Sequence, residues 1–236
     1  MTSGRGLPNQ LTWRDAFRFP IATPEGRHDV LVGGLAVIFL LPIGWILNLG
    51  ARLDVVHRLF NSDQPYFRGF KPWRWTFRRG CVSATTIFCY LSPAILSGTS
   101  AWYTYHIGSS PWVIGAWIAI AFAAFVLGVF TLPGCMTVYA CEKDPSVLWH
   151  PARAFRRARE AGEIYLRAWL ISLAAVSLST LGLLGLGIGF VFTSVWSWEV
   201  VGYAFTVAMY APTVREAVTD NSRVKQDLMA LRAARQ

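Results

Sequence analysis

An all-α integral membrane protein is the fold class this chain predicts, and three observations predict it. Residues 82–107, 109–141 and 168–198 contain no Asp, Glu, Lys or Arg. Each tract exceeds the roughly 20 apolar residues that cross a hydrocarbon core. The chain as a whole is 54% hydrophobic and 15% charged, with a mean hydropathy of +0.39, whereas soluble domains carry about 25% charged residues. All 22 Lys and Arg lie outside the three tracts, crowded into a few segments. About five transmembrane helices flanked by basic amphipathic interfacial helices are expected, with four spans plus a re-entrant helix as the alternative.

The elements follow in order. Residues 1–29 read as an N-terminal tail. Within it, Trp13, Phe17 and Phe19 alternate with Arg14, Asp15 and Arg18, the pattern of a short helix lying at the interface. No cleavable signal peptide is expected, since Pro8, Pro20, Pro24 and both charge signs precede the first apolar run. Residues 30–214 form the transmembrane domain. Its first span, 30–49, contains Gly33, Gly34, Pro42 and Gly44 and is expected to be kinked. A Pro- and aromatic-rich loop over 61–80 follows. The second span, 82–107, has Pro93 inside it. The third, 112–139, has Gly115, Ala119 and Ala123 on one face, which permits close helix approach.

A second charged loop spans 142–167. From Pro151 it reads as an amphipathic helix with Arg156–Glu160, Arg159–Glu163 and Glu163–Arg167 at i,i+4 spacing. Residues 168–214 hold one charge, Glu199, and are long enough for two spans and a turn. Residues 215–236 read as a C-terminal amphipathic tail with Val224, Leu228 and Leu231 at helical spacing. A faint internal repeat pairs Leu41-Pro42 with Leu132-Pro133, and Phe77-Arg78-Arg79 with Phe155-Arg156-Arg157.

The net charge of +9 follows from the positive-inside rule, under which Lys and Arg collect in cytoplasmic loops. Lys plus Arg number 4 in residues 1–29, 7 in 50–81, 6 in 142–167 and 5 in 215–236. The turn at 108–111 has none. Both basic loops and the C-terminus are therefore assigned to the cytoplasmic side of a bacterial or archaeal cytoplasmic membrane. Five spans leave the N-terminus outside, and a re-entrant first helix leaves it inside. Nucleic-acid binding is not expected. Anionic lipid head groups and other membrane proteins are the expected partners.

The residues from Gly44 to Gly80 combine a Gly-aromatic pair (Gly44-Trp45), Arg-rich helical turns and a Pro-aromatic loop ending in Gly80. This run resembles the signature of an uncharacterised family of multi-pass membrane proteins in bacteria and archaea. The close of the last span at Val214-Arg215-Glu216 is similar as well, so the resemblance extends loosely over residues 13–218. It implies a compact helical membrane domain, and it carries no functional residue with it.

No catalytic constellation is visible and no enzyme activity is expected. Cys81, Cys89, Cys135 and Cys141 form no C-x-x-C, and His28, His57, His106 and His150 are scattered. No metal and no cofactor is expected. Gly182, Gly185, Gly187 and Gly189 lack the Lys-Ser/Thr of a phosphate loop; Gly185 and Gly189 read as a packing pair. Arg68, Lys71, Trp73, Arg74, Trp75, Arg78 and Arg79, with Arg153, Arg156 and Arg157, are the candidate lipid or partner contacts. Glu199 is the candidate intramembrane site. A turn near 187–189 puts it at mid-depth. A turn near 193–196 puts it in the first helical turn, with Trp196 and Trp198 as interfacial anchors, and this placement is preferred. The expected function is a non-catalytic scaffold or accessory subunit. The alternative is a small transporter or channel using Glu199, and a cavity reaching that residue discriminates between the two.

Overall fold

The computed structural model describes residues 10–61, 73–150, 152–184 and 187–233, with side chains described as far as Tyr210. The α-helices are α1 (Trp13–Arg18), α2 (Pro24–Phe39), α3 (Ile43–Phe60), α4 (Trp73–His106), α5 (Pro111–Glu142), α6 (Ser146–Trp149), α7 (Ala152–Ala161), α8 (Glu163–Thr180) and α9 (Ile188–Ala233). There is no strand among the described residues. Four segments are long and apolar enough to cross a membrane: α4, α5, Glu163–Leu184 and Ile188–Tyr210. The all-helical class and its membrane-spanning capacity are thus as the sequence predicts.

The first apolar run departs from expectation, because it is two helices rather than one span. Thr23 caps α2 by accepting from the Gly26 N–H at 3.1 Å, with Pro24 in the first turn. The helix stops at Phe39. Pro42 has no N–H to donate and disfavours helical backbone at Leu41, so the chain reverses and α3 starts at Ile43. The two legs then close on each other. Asn48 Nδ2 donates to the Gly33 carbonyl at 2.9 Å. Gly44 lies so near the Ala36 carbonyl that a Cβ there would overlap it. The reversal leaves Phe39, Leu40, Leu41 and Ile43 exposed at the hairpin tip.

The two internal prolines of the longer helices do not break them. Pro93 frees the Cys89 carbonyl, and the Ser92 hydroxyl takes it at 2.8 Å. Around Pro133, Thr137 Oγ1 donates to the Pro133 carbonyl at 2.8 Å and Tyr165 Oη donates to that of Phe130 at 3.2 Å. Pro42 ends a helix and Pro133 does not, so the repeat suggested by the paired Leu-Pro motifs does not extend to local structure.

Other boundaries also move. α4 begins at Trp73, so the second half of the expected loop is helix. Residues 62–72 lie outside the described residues. α8 begins at Glu163, five residues before the charge-free tract. α9 continues unbroken past Arg215 to Ala233, so the tail is the end of the last helix. At the other end, residue 30 falls inside α2.

The core sits where the C-terminal half of α5 meets α8 and α9. Phe205, Ile171, Val138 and Val207 are fully buried there. Tyr165 and Trp169 each pack against both Phe130 and Phe205 with ring centroids 5.2–5.7 Å apart, an arrangement that adds to simple burial. α3 crosses α4 at two glycines: a Cβ on Gly50 would overlap the Thr76 carbonyl, and one on Gly80 that of Ile46. The Gly115–Ala119–Ala123 face of α5 is exposed, and Gly115 has nothing within 4 Å of a built Cβ.

A candidate cavity beside the helical hairpin

The hairpin of α2 and α3 leans on α9 and leaves a cavity of about 270 Å³ between them. Asp29 comes from α2, Asn48 and Arg52 from α3, and Ser194 and Glu199 from α9; Trp45 and Trp198 supply aromatic walls. Chain reversal at Pro42 places Asp29 and Arg52, 23 positions apart in sequence, on one cavity.

Glu199 does not occupy the interfacial position preferred from the sequence. The turn before α9 ends at Gly187, in the left-handed region at φ +78°, and α9 begins at Ile188. At 1.5 Å per residue, Glu199 is about 17 Å along the helix, midway through the apolar segment Ile188–Tyr210. The glycines serve this turn: a Cβ on Gly189 would come 2.7 Å from the Gly182 carbonyl oxygen. The close pair is therefore 182 with 189, and Gly185 lies outside the described residues. Trp196 is no lipid anchor either. Its Nε1–H donates to the Phe17 carbonyl at 3.2 Å and its ring meets Phe17 edge-on at 5.4 Å, which docks the N-terminal helix on α9.

The cavity brings charged groups of both signs together. Asp29 is 5% exposed, with the ring of His28 4.0 Å away. Asp29 and Glu199 face the same cavity from opposite elements. The Arg52 guanidinium turns its face to the Trp198 ring, 4.9 Å from the centroid. Two acids and one stacked cation therefore share one chamber. No group of three or more His, Cys, Asp or Glu suited to a metal ion occurs among the described residues.

The basic contacts expected from the sequence divide. Trp73, Arg74, Trp75 and Arg78 are exposed on the first turns of α4. Cations at a helix N-terminus oppose the helix dipole, so they are not there to hold the helix. Arg79, expected at the head groups, is instead 4% exposed, paired with Asp54 at 3.2 Å and set over Trp75 and Tyr139. It lies one turn past Trp75 on the face that meets α3, which explains its burial. Arg68 and Lys71 fall outside the described residues. On α7, Arg157 turns inward to Glu142 at 2.7 Å and lies 4.5 Å over the Tyr210 ring. Arg153 holds Asp144 at 3.0 Å. Arg156 stays 73% exposed, 4.0 Å from Glu160.

Asp29, Arg52 and Trp45 were not among the predicted site residues. Asp29 and Arg52 border the first apolar run, where charges read as membrane-edge markers. The signal that could have found them is Pro42, since folding the run there superposes its two charged ends. The geometry defines a helical protein with four candidate membrane spans and, beside a helical hairpin, a mainly apolar cavity that also holds two carboxylates and a guanidinium. No family model, no curated protein and no solved structure matches the chain.

Proposed function

We propose that the protein is a small transporter or channel that handles a cation at the Glu199 cavity. One observation carries this reading: the cavity reaches an acidic side chain midway along an apolar helix, with a second, buried carboxylate on the opposing hairpin. An ionisable residue at that depth is costly and marks ion or substrate pathways. Discontinuous helices beside such sites are a recurring arrangement in transporters. α2 and α3 supply the discontinuity, with exposed apolar residues at the tip.

In this reading the α2–α3 hairpin is re-entrant. Its tip enters the hydrocarbon from the cytoplasmic side, four helices span, and both chain ends are cytoplasmic. Arg74 and Arg78, with Arg156 on α7, then face anionic head groups of the inner leaflet of a bacterial or archaeal cytoplasmic membrane. A cysteine placed at Leu41 should resist membrane-impermeant maleimides from both sides of sealed vesicles. Labelling from the outer face would mean that both legs cross and would overturn the re-entrant reading.

The test is flux. Purified protein in proteoliposomes should dissipate an imposed cation or proton gradient, and Glu199→Gln should abolish that flux while keeping the folded elution volume. Equal flux through both proteins would sink the reading. A second reading, an accessory subunit packing against other membrane proteins, is favoured by α5, where 6% of the most apolar stretch is buried. Co-purification of a stoichiometric partner from native membrane, together with absence of flux, would select it.

A further inference from the structure

A metal cation and a proton ask different things of a site. A metal ion held away from water needs a shell of oxygens, about six to eight for Ca²⁺. A proton becomes part of one carboxyl group and needs a single oxygen. The chamber's side-chain oxygens are few. Besides Glu199 they belong to Asp29, Asn48 and Ser194. Asn48 is held in the seam of the hairpin, where its Nδ2 donates to the Gly33 carbonyl at 2.9 Å. The Ser194 hydroxyl donates to the Val191 carbonyl at 2.7 Å. Asp29 is not free.

Backbone oxygens do not make up the shortfall. Transporters that coordinate Na⁺ draw on unwound backbone carbonyls. Here, Val37 apart, every lining residue lies inside a helix, where its carbonyl takes the N–H four residues on. Gly34 meets Phe192 and Gly33 meets Val195, so passing down α2 towards Asp29 leads along α9 towards Glu199 and away from the break at 40–42. Phe39, the last helical residue before that break, is about 15 Å along α2 from Asp29. The charged groups facing Glu199 are Asp29, beside His28, from α2 and Arg52 from α3. α1 spends Asp15 on the Thr12 hydroxyl and α8 turns Arg167 to the Leu11 carbonyl. Neither helix lines the chamber among the described residues.

We propose that the cation is a proton and that the Glu199 carboxylate carries it. The inference rests on the reading of the cavity as a cation site. Hydronium gives its proton to a Glu199 carboxylate oxygen and departs as water. On release the O–H bond breaks and a second water leaves as hydronium. No other bond changes.

Proteoliposomes of the full chain test this. Proton flux is read from trapped pyranine after a pH jump, with valinomycin and equal potassium on both sides clamping the voltage. It should run at the same rate whether the remaining salt is sodium chloride or N-methylglucamine chloride. Glu199→Gln, at an unchanged folded elution volume, should reduce it to that of empty vesicles. Exchange of radioactive sodium or rubidium into vesicles loaded with the same ion should stay at the level of empty vesicles. Exchange of either ion that Glu199→Gln removes would overturn the inference and leave the cation reading standing. Proton flux that requires sodium would overturn it in the same way. Absence of Glu199-dependent movement of proton, sodium and rubidium alike would remove both.

Discussion

Replacing Gly80 and Gly98, both on α4, by alanine asks whether the α3–α4 crossing rests on backbone contact. In a helix, glycine to alanine gains about 0.5–1 kcal/mol from backbone entropy alone. At Gly98 nothing lies within 4 Å of a built Cβ, so the gain should appear undiminished. At Gly80 the new methyl would overlap the Ile46 carbonyl oxygen and stand 2.8 Å from its carbon. Backbone of a packed helix cannot rotate away as a side chain does. The helices must part by about 1 Å or more, and overpacking of this kind costs about 1–3 kcal/mol. Gly98→Ala should therefore exceed Gly80→Ala in stability by about that amount. Gly50, which meets the Thr76 carbonyl in the same way, should show less than additive loss when combined with Gly80→Ala, because one parting relieves both clashes. Reversible unfolding in mixed detergent–SDS micelles, followed by circular dichroism, measures all four proteins. Equal stability of Gly80→Ala and Gly98→Ala would refute the contact-based argument.

Three further outcomes are expected. Asp54→Asn should destabilise by about 3–5 kcal/mol by leaving the buried Arg79 cation unpaired, whereas Asp144→Asn, which unpairs the half-exposed Arg153, should change the same unfolding midpoint little. Arg74→Gln with Arg78→Gln should weaken association with anionic vesicles in flotation, and folded Arg79→Lys should not, since Arg79 is buried. Burial, reinforced by the positive charges of Lys143 and Arg79, holds the His57 imidazole below its ordinary value of 6.5. A depressed histidine adds stability that is complete above 6.5 and is lost as pH falls through the lowered value. Stability should therefore decline with acid below 6.5, and His57→Gln should flatten that slope in unfolding curves.

The long helices were legible because each depends on a one-dimensional property. A charge-free tract of sufficient length must be helical in lipid, since every backbone group needs an internal partner. Helix ends were less legible. α4 and α8 extend beyond their charge-free tracts because amphipathic turns continue the helix while carrying arginine, as at Arg78 and Arg167. The prolines were ambiguous for a similar reason. Whether one breaks a helix depends on whether a neighbour takes the freed carbonyl, and Ser92 does so for Pro93.

Arg79 and Glu199 show what a linear reading leaves out. Arg74, Arg78 and Arg79 are near-identical in sequence context, yet the helix sends only the last towards α3, where Asp54 receives it. Their fates differ by rotation about an axis. Glu199 is decided by translation along one. Moving the turn from 193–196 to Gly187 carries the same carboxylate from a helix end to mid-helix, away from the helix dipole that would have favoured its charge. The folded hairpin then supplies Asp29 and Arg52 to the chamber. A lone acid would have to be neutral or solvated there. An acid with a second carboxylate opposite and a guanidinium stacked nearby is what the proposed cation site is built from.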